Sequence, residues 1–190
     1  DGSTALLDLQ LLLALQAGIE LEKIEGSEEY ANMYTSLANK MSETIKNKYW
    51  DSSRNLFADT PDKQNFSQHT NSMAILAGLT TEEQASKIAE QMLADESLIQ
   101  ATIYFKYYLH LALAKAGMGD DFMNWLDIWR KNIDLGLTTW GETSEVETTR
   151  SDCHAWGASP NIEAYRIILG IESAAPYFKK VKIRKKRQEG

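Results

Sequence analysis

Apolar residues recur at intervals of three and four through most of the first 170 positions, the spacing of helices rather than of strands. The pattern predicts about seven helices. The first, over residues 3–22, carries Leu6, Leu7, Leu9, Leu11, Leu12, Leu13, Leu15 and Ile19 and is apolar on nearly every side, as for a helix packed within a core. The second, over residues 27–49, confines Tyr30, Met33, Tyr34, Leu37, Met41 and Ile45 to one stripe and is expected on the outside.

The same contrast returns along the chain. Residues 67–78 are largely apolar in their second half, whereas residues 80–94 are amphipathic and open with a Thr80 and Glu83 capping-box pattern. Residues 97–116 are rich in large apolar groups and stop at Gly117, and residues 120–133 carry a stripe of Phe122, Trp125, Leu126 and Trp129. The last helix, over residues 151–169, ends at Gly170. After Pro176, residues 177–183 alternate Phe178, Val181 and Ile183 with Lys, which reads as the first strand of a further domain.

Alternating inner and outer helices joined as hairpins make either a solenoid or a closed ring. In a ring the inner helices run parallel and their N-termini gather at one end, where helix dipoles and free N–H groups suit a polar site. The segments that enter two inner helices hold the unusual polar and aromatic residues: Asn65 to His69, and Trp140-Gly141-Glu142 with Ser151 to Trp156. The expectation is one shared pocket built from both.

Composition narrows the chemistry. The 190 residues are 43% hydrophobic and 25% charged, in the globular range. A net charge of −7, with the basic residues clustered only in the tail at positions 179–187, argues against a nucleic-acid partner. The longest apolar stretch, residues 6–19, is interrupted by Asp8, Gln10 and Gln16 and is too short to span a bilayer, so no membrane segment is expected. The opening Asp-Gly-Ser-Thr lacks both an initiator Met and a leader, which reads as a piece of a longer chain. One cysteine, Cys153, allows no internal disulfide and reads as a buried, inert thiol.

Glu142, Glu145, Glu147 and Asp152 place four carboxylates in eleven residues. Glycosidic hydrolysis needs one carboxylate to activate water and one carboxylic acid to protonate the leaving oxygen, but a loop of this composition also reads as simply solvated. Trp140 beside Glu142 strengthens the chemical reading, because sugar C–H faces pack on aromatic rings. His154 and Trp156, expected one turn into the last helix, offer a hydrogen-bond donor and an aromatic wall; a structural histidine and a core tryptophan are the plainer alternatives. Gln68 and His69 either cap their helix or face the cavity. His69, His110 and His154 have no metal-ligand spacing, and no phosphate-binding loop is present, so neither metal nor cofactor is expected.

The segments Asp59-Thr60-Pro61, Phe66-Ser67-Gln68-His69-Thr70-Asn71, Leu137-Thr138-Thr139-Trp140-Gly141-Glu142-Thr143 and Arg150 through Pro160, closing on Leu169-Gly170-Ile171, resemble the bacterial α-L-rhamnosidases. The resemblance covers essentially the whole chain. It implies an all-α fold, an α/α toroid or six-hairpin (α/α)6 barrel, here a partial barrel at residues 1–172, with residues 173–190 starting a C-terminal β-sandwich or forming a tail. It also implies an inverting glycoside hydrolase acting on terminal α-L-rhamnose of glycosides or polysaccharides, and it favours the bacterial periplasm or secretion while leaving the cytoplasm open. By this match Glu142 is the general base, His154, Trp140 and Trp156 contact the sugar, and Gln68 and His69 lie near the pocket, with Glu145 and Glu147 as rivals for the base. The general acid is expected upstream of Asp1, in the remaining N-terminal half of the barrel. An isolated half would then be inactive, and its exposed helix flanks would be covered by self-association or by contact with the missing half. Two other readings stand beside this one: a helical-repeat binding module without catalysis, and a degenerate barrel that holds a sugar without cleaving it.

Overall fold

The computed structural model describes residues 3–143 and 151–184. The chain divides into two compact units, residues 1–100 and 101–190. In the first, α1 (Ala5–Glu25) and α2 (Glu28–Tyr49) form a hairpin turned by Gly26 and Ser27. The Ser27 side chain caps α2 by accepting from the Glu29 N–H. A short antiparallel pair, β1 (Trp50–Asp51) with β2 (Leu56–Phe57), then leads to α3 (Gln68–Leu76) and α4 (Glu82–Ala94).

The core of this unit is Leu9 and Leu12 of α1, Ile45 and Tyr49 of α2, Leu56 and Phe57, Ile75 of α3, and Ile88 and Met92 of α4. Each such side chain contributes about 1.5–3 kcal/mol through burial. Polar ties lock the elements in register. The Tyr49 hydroxyl donates to the Asp8 carboxylate at 2.6 Å, linking α2 to α1. Burial and that carboxylate push the Tyr49 hydroxyl pKa well above its ordinary value. The fully buried Asn71 accepts from the Phe57 N–H at 2.9 Å and donates to the carbonyls of Phe57 at 3.0 Å and Ser67 at 2.9 Å. It thereby fastens the β-pair to the start of α3.

Several expectations are corrected here. Helix α1 is not enclosed: Leu7, Leu11, Leu21 and Ile24 are exposed. The buried line of α2 runs through Ala31, Ala38, Ile45 and Tyr49 rather than through Tyr30, Met33 and Leu37, because small residues let the hairpin approach closely. The capping box of α4 is one residue later, Thr81 with Gln84, since Gly78 at a φ of +73° and the Leu79 N–H bonded to the Ala74 carbonyl keep the chain turning through Thr80. The β1–β2 pair lacks an alternating pattern long enough to announce it.

The second unit begins with α5 (Ile103–Leu113). The preceding residues are not helical: Asp95 accepts from the Ser97 N–H and hydroxyl, and Ile99 exchanges backbone bonds with Phe66 and Gln68, which holds the segment extended. Helix α5 runs on through a wide turn to Gly117, whose φ of +95° ends it. The amphipathic stretch that follows is a 3₁₀ segment, Gly119–Leu126, and then α6 (Asp127–Asp134). Residues 151–154 are extended instead of helical, and the final helical run begins with a 3₁₀ turn at Ala155–Ala158 before α7 (Ser159–Glu163).

Gly170, at a φ of +63°, ends that run, and the carbonyl oxygen of Arg184 would lie 2.5 Å from any Cβ there. Strand β3 (Ile171–Ser173) pairs antiparallel with β4 (Val181–Ile183). The expected strand is thus real but shorter, because Tyr177 and Phe178 turn with positive φ. Among the described residues no helix is long and apolar enough to cross a membrane.

Replacing Asn71 by Ala removes the side-chain partners of the buried Phe57 N–H and carbonyl, while the Ser67 carbonyl keeps the backbone N–H of residue 71. We expect a loss of roughly 3 kcal/mol, read from the urea midpoint at unchanged slope.

Candidate active site

The second unit brings four of the expected site residues together. Trp140-Gly141-Glu142 lies beside residues 151–154 as a backbone pair: the Glu142 N–H donates to the Ser151 carbonyl at 2.9 Å and the His154 N–H to the Trp140 carbonyl at 2.7 Å. The Thr139 hydroxyl adds a bond to the Asp152 carbonyl. These bonds close the base of the connection between the two segments. Glu145 and Glu147, the rival carboxylates, lie outside the described residues.

His154 is the last extended residue before the 3₁₀ turn, not a residue inside a helix. Its Nε2 lies 3.9 Å from Oε1 of Glu142, close for a charge interaction and too long for a hydrogen bond. The Glu142 side chain is only 10% exposed and that of His154 26%, so polar interactions between them act at reduced solvent screening. His154 Nδ1 is shielded from solvent and has no hydrogen-bond partner among the described residues.

The His154 ring packs against Trp156 at 4.4 Å between centroids, and Trp156 meets Tyr104 edge-on at 5.7 Å. Trp156 is 46% exposed, which overturns the core-packing alternative; Trp140 is 37% exposed. Beyond Trp156, Tyr104, Tyr107, Tyr108 and Arg166 line a cleft of about 440 Å³. Cys153 is exposed, against the expected buried thiol, because its segment is not the buried helix the sequence suggests.

Gln68 and His69 belong to the first unit. Gln68 is buried and its amide donates to the Met92 carbonyl at 2.8 Å, tying α3 to α4. His69 is half-buried; burial holds its pKa below the ordinary 6.5, and the Asp59 carboxylate opposes that shift only in part. Asp59 itself accepts from the Ser67 hydroxyl at 2.6 Å and the Thr70 hydroxyl at 2.5 Å, so the turn before α3 is a polar network rather than a lone cap.

Sequence reasoning missed three residues that support the Glu142 segment. Trp129 donates its indole N–H to the Gly157 carbonyl at 2.7 Å inside the core, and Glu163 accepts from or donates to Nδ1 of His110 at 2.9 Å with both side chains buried. The apolar stripe of residues 120–133 signalled that Trp129 was buried, but nothing in the spacing marked its partner. No group of three or more metal-ligating side chains occurs among the described residues.

The fold has known counterparts. Over 95% of its length the chain matches the GH78 family rhamnosidase of Bacillus sp. GL1, with a TM-score of 0.84 and 24% sequence identity, covering 21% of that chain. It matches the rhamnosidase from Klebsiella oxytoca, solved with rhamnose bound, over 87% of its length, with a TM-score of 0.77 and 19% identity, covering 34% of that chain. The chain has the fold of part of these rhamnosidases. The fold class expected from the sequence, part of an all-α toroid, is borne out by this likeness. The chain spans about a fifth of the first and a third of the second. No protein-family model and no curated protein matches.

The lowered pKa of His69 has a definite sign. Below pH 6.5 the unfolded chain takes up a proton that the folded chain resists, so stability falls as the pH drops from 6.5 towards the folded pKa. We expect an NMR titration midpoint for His69 below 6.5, and a weaker acid-side loss of stability in His69→Gln.

Proposed function

We propose that the chain is part of a glycoside hydrolase that removes terminal α-L-rhamnose by inversion, with Glu142 as the general base. The observation that carries the reading is the grouping of a nearly enclosed carboxylate, an imidazole 3.9 Å away and two exposed tryptophans on one backbone pair. The likeness in fold to two rhamnosidases supports it.

In this mechanism Glu142 takes a proton from water as the oxygen attacks the anomeric carbon, on the face opposite the glycosidic oxygen. A carboxylic acid on the other face gives its proton to the leaving oxygen as the C–O bond breaks. The two carboxyl groups stand about 6.5–9.5 Å apart in such enzymes to admit the water. The acid is assigned to the remaining part of the barrel, which is the partner this reading requires. His154 supplies a hydrogen bond to a sugar hydroxyl, and Trp140 and Trp156 present ring faces to the sugar's C–H groups. In the first unit the reading keeps His69 as a substrate contact, whereas Gln68, buried with its amide on the Met92 carbonyl, serves the packing of α3 on α4 instead; residues 173–190 are given to the start of a β-domain.

The same fold without catalysis would make a sugar-binding barrel or a repeat module. The complete protein that carries this chain should be assayed on an aryl α-L-rhamnoside beside its Glu142→Gln form, with rhamnose binding measured by calorimetry. Glu142→Gln should lower kcat by roughly 10² or more while rhamnose still binds, and the first product of the unaltered protein should be the β-anomer. Equal turnover in both forms rejects the general-base assignment. Binding without turnover in the unaltered protein identifies the degenerate barrel instead.

A further inference from the structure

Gly157 does not have the positive φ that would demand a glycine for conformational reasons. What it cannot hold is a side chain. A Cβ at this position would lie 2.9 Å from the Gly141 carbonyl oxygen, 3.1 Å from Cβ of Trp140 and 3.5 Å from Cγ2 of Ile103. The first distance is below any contact that a real Cβ makes, and the obstructing atom is backbone. The turn that follows His154 therefore presses directly on the peptide unit that joins Gly141 to Glu142.

The opposite side of Gly157 is held as firmly. Its carbonyl accepts from the Trp129 indole at 2.7 Å, and Trp129, on α6, is 7% exposed. The Trp129 ring lies 5.7 Å from that of His110, which Glu163 fixes at 2.9 Å from within α7. A buried indole N–H bonded to a backbone carbonyl has one geometry, and breaking it leaves two polar groups without solvent. Glu142 is thus reached from α6 through a short rigid path: indole, Gly157 carbonyl, Gly157 Cα, Gly141 carbonyl.

We propose that Trp129 and Gly157 are positioning residues, a clamp that sets the carboxylate of Glu142 by fixing the backbone on which it rides. This rests on the general-base reading of Glu142. Neither residue touches the sugar in that reading, so their effect is on the placement of the carboxylate and not on binding. A displacement of about 1 Å in a reacting group costs on the order of 10²-fold in rate.

The test uses the complete protein in four forms: unaltered, Trp129→Phe, Gly157→Ala and Glu142→Gln. Trp129→Phe keeps an aromatic ring and removes only the N–H, which guards against the failure of Gly157→Ala to fold. Two readouts are taken, kcat and KM on an aryl α-L-rhamnoside, and hydrogen exchange at the amides of Glu142 and His154, whose bonds to Ser151 and Trp140 report the clamped backbone. The expected result for Trp129→Phe is a fall in kcat of about tenfold or more with KM within threefold, and at least tenfold faster exchange at those two amides while the amides of α5 keep their protection. Amides as protected as in the unaltered protein overturn the clamp, whatever the activity. Faster exchange with unchanged kcat overturns the positioning role, and a loss of protection throughout α5 reduces the effect to folding and overturns it as well. The Glu142→Gln form tells the two failures apart: unchanged turnover there rejects the general-base reading, while a large fall there with no effect at Trp129 rejects only this inference.

Discussion

The backbone pair between residues 140–142 and 151–154 is the constraint on which the candidate site depends. A loop rich in carboxylates has no reason to hold any one of them still, since each gains more from water than from order. Two main-chain bonds, the Thr139 hydroxyl and the close approach of Gly157 remove that freedom at the one carboxylate next to Trp140. The side chain of Glu142 then stands against His154 with little solvent access, and the imidazole in turn stacks on Trp156. Order in the backbone is converted into a defined electrostatic environment, which is what acid–base chemistry at a sugar requires.

Beneath the pair lies a core that is aromatic and partly polar. His110 is surrounded by Phe122, Trp125 and Trp129 at centroid distances of 5.9, 5.4 and 5.7 Å, and it pairs with the buried Glu163. A buried imidazole–carboxylate pair gains little net stability over an apolar core of the same volume, because both groups give up hydration. What it does supply is direction: the Nδ1–Glu163 bond orients the ring of His110, on which the indole of Trp129 packs. The first unit uses the same device with different residues. Asn71, through buried hydrogen bonds, and Asp59, through part-buried ones, fix the turn before α3, the segment that carries Gln68 and His69.

How much of this was legible follows from the range of each interaction. Helices α2 and α4 were visible because their polar faces are continuous and their caps, Ser27 and a threonine before α4, are local. Gly117 and Gly170 marked helix ends because a left-handed residue is needed there. The non-helical stretches at residues 97–102 and 151–154 were read as helix, because their composition fits one and the bonds that prevent it come from residues outside each stretch, Asp95, Phe66 and Gln68 for the first and Trp140 and Glu142 for the second. The exposure of Leu7 and Leu11 was equally hidden, since periodicity says that a face is apolar and not whether anything covers it. Trp140 and Glu142 were singled out as candidates from chemistry and resemblance, whereas Trp129, Gly157 and Glu163 make contacts that no spacing rule encodes.

The central claim is that the backbone pair presents Glu142 to a sugar held between Trp140 and Trp156. Its most direct test is a crystal structure of the complete protein with rhamnose bound. The account predicts a rhamnose ring against these tryptophans, a hydroxyl within hydrogen-bond reach of His154, and an ordered water about 3 Å from the Glu142 carboxylate on one face of the anomeric carbon. Rhamnose bound elsewhere, or bound here with Glu142 turned away and another carboxylate holding that water, would contradict it.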